Sequence, residues 1–138
     1  MQSKKKIIRL FCVTAIIIIG GLVWWNVPTS IVNISSSEVS GIVIFDGNTG
    51  KETSITDTNE IEHIIGNLNA ISIKKEKVSL GYMGYSFRTT IYNTDSAVYK
   101  EFIINSNNTI RKDPFFYRDS SGSIDYDYIQ ELLANKNK

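Results

Sequence analysis

Hydrophobic positions along this chain follow three patterns. From Ile7 to Val27 they are nearly continuous, interrupted by strongly polar groups only at Arg9 and Asn26, and Leu10 to Trp25 carries no charge. Twenty-one helical residues span roughly 31 Å, about the thickness of a hydrocarbon core. A run of four isoleucines at 16–19 suits an isolated helix in water poorly, but in lipid the demand for internal backbone hydrogen bonds outweighs propensity. The segment is therefore expected to form one transmembrane helix, with Trp24 and Trp25 at the interfacial level and Pro28 ending it.

The second pattern is helical and amphipathic. Ile61, Ile64, Ile65 and Leu68 recur at i, i+3, i+4 and i+7, after a capping signal at Thr56, Asp57 or Thr58 with Glu60 placed to complete a capping box from Asp57. A shorter helix is expected over 124–134, with Tyr128, Ile129, Leu132 and Leu133 on its apolar side and Ser121 or Ser123 as its cap.

The third pattern has period two and predicts strands. Residues 39–45 and 51–56 flank the turn Asp46-Gly47-Asn48-Thr49-Gly50, which makes a hairpin. Ile71 and Ile73 are odd-numbered whereas Val78 and Leu80 are even, so a bulge or break is expected near Lys74–Lys77. Strands at 85–92, 97–104 and 109–112 follow at meander spacing, and Phe115-Phe116-Tyr117 is expected to return to the sheet edge after Pro114. The resulting fold class is α+β: an N-terminal transmembrane helix, then a small antiparallel β-meander sheet packed with two helices.

These boundaries divide the chain into a basic tail (1–6), a signal anchor (7–27), a polar serine-rich linker (28–38) and an extracytoplasmic domain (39–135). Charge assigns the sides. The formal net charge of the whole is +1, yet residues 1–30 hold Lys4, Lys5, Lys6 and Arg9 with no acid, while residues 31–138 hold 11 basic against 14 acidic residues. Positive charge flanking a span stays in the cytoplasm, which puts the N-terminus inside and the domain outside the cell membrane. A cleaved signal peptide has the same start, but this apolar run is longer than a usual h-region and no A-x-A-like site follows it. A lipoprotein anchor fits less well, because Cys12 lies at the start of the apolar run. Its other reading, acylation near the cytoplasmic interface, stays open.

The acidic domain excludes a basic nucleic-acid binder, and a single cysteine excludes a disulfide scaffold. Twenty-two Ile, 12 Asn and 11 Lys against four Arg is a composition favoured by AT-rich codons, pointing to a bacterial source.

Catalytic and metal chemistry has little to build on. His63 is the only histidine, without a Cys, Asp or Glu at i+4, so two-histidine metal motifs are excluded. Asp46–Lys51 resembles the start of a calcium loop but has Lys51 where that loop requires glycine. Asp119, Asp125 and Asp127 are expected to act as acids at a helix N-terminus, and Lys74-Lys75-Glu76-Lys77 as a solvated charge run. Neither a cofactor nor a metal is implied. Two segments are candidates for partner contact. One is the glycine-flanked loop with Tyr82, Met83 and Tyr85; the other is the basic-aromatic stretch with Arg111, Phe115 and Phe116. In the second, the favoured reading is a sheet edge with Phe115 or Phe116 inside and charges protecting it from pairing.

The expected function is a single-pass membrane protein whose extracytoplasmic domain is a noncatalytic interaction or sensing module, working with the bilayer and a membrane or cell-surface protein. An anchored or secreted inhibitor or immunity-type protein is the alternative. A small cell-envelope hydrolase pairing His63 with Asp119, Asp125 or Asp127 is a third.

Overall fold

A computed structural model describes residues 2–138. Among them are three α-helices, α1 (Gln2–Asn26), α2 (Thr58–Ala70) and α3 (Tyr126–Lys136), and seven strands. The strands are β1 (Val39–Asp46), β2 (Lys51–Ile55), β3 (Ile73–Val78), β4 (Phe87–Asn93), β5 (Val98–Ser106), β6 (Thr109–Lys112) and β7 (Phe115–Asp119). They form one open antiparallel sheet in the order β2-β1-β4-β5-β6-β7-β3. The α+β class and the antiparallel sheet are as the sequence predicts.

Both domain helices cover the same sheet face. Ile61, Ile64, Ile65 and Leu68 of α2, with Ile129 and Leu133 of α3, join Ile42, Ile44, Phe87, Ile91, Phe102, Ile104 and Ile110 in one buried cluster. Cross-strand pairing puts these strand residues on one side: Ile42 opposes Ile91, Phe87 opposes Ile104, and Ile104 opposes Ile110. The alternate positions Phe45, Arg88, Ile103, Arg111 and Phe116 occupy the other side, where no helix lies.

Two capping expectations are refined. Asp57 caps α2, accepting from the backbone N–H groups of Asn59 (2.9 Å) and Glu60 (3.1 Å). Glu60 does not complete the capping box, because its Oε2 lies 2.9 Å from the Lys136 Nζ of α3. Ser121 and Ser123 do not cap α3. Both hydroxyls donate to the Asp119 carboxylate, and the cap position falls to Asp125.

Three placements depart from the sequence reading. First, β7 is an interior strand, flanked by β6 and β3; the sheet edges are β2 and β3. Proline 114 occupies the turn between β6 and β7 and so costs the ladder nothing. Second, residues 28–38 are no free spacer: Ile31 and Val32 are buried, and Thr29 exchanges backbone hydrogen bonds with Ile73 at 2.8 and 3.0 Å. Ile31 and Val32 join the core cluster beside Lys100, whose Nζ donates to the Ile31 carbonyl at 2.7 Å. Third, the bulge expected near Lys74–Lys77 is present, at Lys75/Lys77, but the charges there are not merely solvated. The bulge sends Lys75 toward α1, gives Glu76 to Arg118, and leaves Lys77 on the open face.

Helix α1 is exposed along its apolar length and long and apolar enough to cross a membrane, a property that signal sequences share. Lys4, Lys5, Lys6 and Arg9 are exposed in its first turns. Its last turn touches the domain: the rings of Trp24 and Trp25 stand edge-on to Phe115 at 5.9 and 5.6 Å.

Candidate interaction surface on the open sheet face

The connection from β3 to β4 builds the candidate site. These strands are consecutive in sequence but separated by β7, β6 and β5 in the sheet, so residues 79–86 must cross three strands. They do so over the open face and are pinned at both ends. Near β7, the Ser79 N–H donates to the Pro114 carbonyl at 2.8 Å, and the Ser79 hydroxyl donates to Asp113. Near β4, the Gly47 N–H donates to the Ser86 carbonyl at 2.7 Å. Gly81 adopts φ +86°, a left-handed geometry that glycine accepts without steric cost, and so allows the chain to turn back across the sheet.

Arg111 lies beneath this loop. Its Nε donates to Asp113 Oδ1 at 2.8 Å and its Nη2 to Oδ2 at 3.1 Å, while Nη1 reaches the Gly84 carbonyl at 3.4 Å. The forked ion pair joins the β6–β7 turn to the loop; hydrogen bonds from Arg111, then from Ser79, hold the Asp113 pKa down to about 2. Arg111 is thus committed to positioning the loop.

Two aromatic clusters anchor it to the sheet. Tyr82 stands edge-on to Phe116 with ring centroids 5.1 Å apart, and Lys77 lies over both rings at 4.8 and 4.9 Å. Phe116 opposes Arg111 on one side and Lys77 on the other, so register alone puts these three on the open face. Tyr85 goes elsewhere: it packs against Phe45 at 6.0 Å, with the Arg88 guanidinium 4.6 Å from its ring centre. Met83, at the outer side of the loop, is 88% exposed.

Between loop and sheet lies a cleft of about 360 Å³, bounded by Lys77, Tyr82, Asn105, Thr109, Phe116 and Arg118. Its chemistry combines an aromatic wall with Lys77 and with an Arg118–Glu76 ion pair, both members of which line the cleft. The Asn105 Oδ1 atom is shielded from solvent and accepts no hydrogen bond among the described residues. Such a lining suits a planar or anionic group entering from solvent.

The structure thus brings Tyr82, Arg111 and Phe116 together and separates Tyr85 and Phe115 from them. Phe115 points to the helix-covered side and meets Trp24 and Trp25. Period two predicts that Phe115 and Phe116 diverge. Lys77, Asn105 and Arg118 escape a sequence reading because they reach the cleft only through the β3–β7 and β5–β6 pairings.

Two other clusters resolve into supports. His63 Nε2 and Asp125 Oδ2 are 2.7 Å apart, and Tyr128 stacks on the imidazole at 3.8 Å. Asn67 beside them donates to the Ser123 carbonyl at 2.7 Å and accepts from the Asp125 N–H at 3.0 Å, binding α2 to the start of α3. A larger cleft of about 480 Å³ separates the β1–β2 turn from α3, with Asp46, Phe87, Tyr126 and Asn137 among its walls. Both Asp46 oxygens serve its own turn, accepting from Asn48 and Thr49. Burial opposes ionisation of Asp46, but these bonds outweigh it and lower its pKa. The calcium-loop resemblance is thereby accounted for as a hairpin turn. Of the three aspartates, Asp127 alone lies in the first turn of α3; Asp119 ends β7.

Among the described residues, no group of three or more His, Cys, Asp or Glu is arranged to hold a metal ion. Compared with known proteins, the chain matches no family model, no curated protein and no solved structure.

Proposed function

We propose that this chain is a single-pass membrane protein of a bacterial envelope, with its N-terminus in the cytoplasm and its α+β domain outside serving as an interaction or sensing module. The observation that carries the reading is the crossing loop. It is pinned at Ser79, Arg111 and Ser86, holds Tyr82 over Phe116, and leaves a cleft of about 360 Å³ accessible on an uncovered sheet face. A preformed aromatic and cationic surface on a rigid sheet meets a partner at low ordering cost. The address is supported by an exposed apolar α1, by Lys4–Lys6 and Arg9 at its start, and by Trp24 and Trp25 at its end.

Affinity capture from detergent extracts, comparing the full chain with Tyr82→Ala and Lys77→Glu, tests the assignment. A partner whose recovery falls at least about tenfold in both variants, with melting behaviour retained, supports the site. A partner retained equally by both variants rejects it. Substrate turnover by the purified chain would overturn the noncatalytic reading.

A further inference from the structure

The domain is joined to α1 by more than the covalent chain. Thr29 pairs with Ile73 at the start of β3, the Lys75 Nζ lies 3.9 Å from the Trp24 ring centre, and the Trp24 and Trp25 rings meet Phe115. Phe115 opposes Val78 at the end of β3. Each step back along the chain from Thr29 to Trp24 therefore moves forward along β3. Helix α1 departs from the end of the sheet at which the crossing loop begins.

At that end a row of aligned residues crosses the sheet: Lys112, Phe115 and Val78, on β6, β7 and β3. The two tryptophans lie against the middle of this row, and tryptophan at the end of a span marks the headgroup level. Beyond the row comes Leu80, 71% exposed; Met83, 88% exposed, follows on the outer side of the loop where it turns back across the sheet. Two large apolar side chains on a loop tip are expensive in water, and neither belongs to the wall of the cleft that Tyr82 forms. Val78, within the row, is itself 46% exposed.

We infer that the domain lies against the outer leaflet of the bilayer that α1 crosses, with Leu80 and Met83 entering the interfacial region. The inference rests on the reading of α1 as a membrane span. A patch this small would hold a free protein weakly. Tethered by α1, its local concentration at the surface is high enough for weak contacts to orient the domain. The consequence is a fixed presentation: the outer side of the loop is occupied by lipid, and the Tyr82 cleft opens beside the membrane.

The full chain with Cys12→Ser provides a background for single cysteines at Leu80, Ile17 and Glu52, each labelled with an environment-sensitive nitrobenzoxadiazole probe. Glu52 lies on β2, the sheet edge opposite β3, and serves as the aqueous reference. The protein is reconstituted in vesicles of phosphatidylcholine and phosphatidylglycerol, with nitroxide lipids spin-labelled at shallow or deep positions. The expected result is quenching at Ile17 by deep nitroxides and a blue-shifted emission at Leu80 quenched by shallow ones. Met83→Glu should move the Leu80 emission back toward that of the Glu52 reference. Quenching at Ile17 together with water-like emission at Leu80 overturns the docking while leaving the anchor standing. A blue shift at Leu80 without nitroxide quenching shows a protein contact instead and also overturns it. An Ile17 probe untouched by nitroxides removes the anchor and the docking together.

Discussion

The Tyr82 ring stands at 83° to the ring of Phe116, with centroids 5.1 Å apart, so the tip of the crossing loop is braced on a buried strand residue. The two partners contribute differently. Phe116 is 5% exposed and sits in the sheet, whereas Tyr82 is 50% exposed on the loop. Phe116→Ala should cost about 3 kcal/mol through lost burial and a cavity. Tyr82→Ala should cost about 1 kcal/mol, the scale of one edge-to-face pair. Urea unfolding of the full chain in detergent checks the ranking, and equal costs would contradict it.

Gly47 is required by a close approach. A Cβ there would lie 2.3 Å from the Tyr85 carbonyl oxygen, a backbone atom that cannot swing aside. Gly47→Ala should therefore push the loop off the β1–β2 turn and cost about 1–3 kcal/mol. Hydrogen exchange should accelerate at residues 82–86. Unchanged protection there would show that the loop is not held from this side.

The tie between α2 and α3 offers a comparison of two neighbours. His63 and Asp125 form a short contact, but their side chains are 45% and 41% exposed, so His63→Ala should change stability by less than about 1 kcal/mol. Asn67 makes two hydrogen bonds to backbone groups, the one from the Asp125 N–H partly buried. Asn67→Ala should cost about 2 kcal/mol, because both backbone groups lose a partner. Denaturation midpoints falling in the reverse order would sink this assignment.

Asp119 makes stability fall in acid. Burial raises its pKa, but hydrogen bonds from Ser123 and Ser121 outweigh that and bring it to about 2, against 3.8 for the ordinary group. The folded state binds this proton less readily than the unfolded one, so the contribution is present above the ordinary carboxylate range and disappears as pH falls through about 2. The difference amounts to about 2 kcal/mol. Asp113 is also lowered to about 2, but its side chain is 57% exposed, and solvent screening leaves it a smaller share. Asp119→Asn should lower stability at neutral pH and flatten most of the loss between about pH 4 and pH 2. Unfolding curves across that interval measure both effects.

Ile31 and Val32 belong to the core although they precede the first strand. Ile31→Ala should cost about 2–4 kcal/mol, the range for a buried large-to-small change, whereas Ser36→Ala should be nearly neutral. Thermal melts of the two variants in the same detergent check this. Equal melting temperatures would return residues 28–38 to the role of a passive spacer.

The sequence by itself determined the elements whose signals are local. An uncharged run from Leu10 to Trp25 is apolar on every side wherever it sits, and Ile61, Ile64, Ile65 and Leu68 fall on one helix face by period alone. The bulge at Lys75/Lys77 was legible as a change of parity between Ile73 and Val78. What only the tertiary structure decided are relations between residues distant in sequence. Placing β3 beyond β7 makes β7 an interior strand, turns residues 79–86 into a crossing loop, and brings Lys77 to Phe116 and Tyr82. The same pairing sends Phe115 to the tryptophans of α1, and the tie of Thr29 to Ile73 leads Ile31 and Val32 into the core. Strand order is set by which combination of faces buries the most apolar area with every ladder satisfied. That is a property of the whole chain, and no window of neighbouring residues contains it.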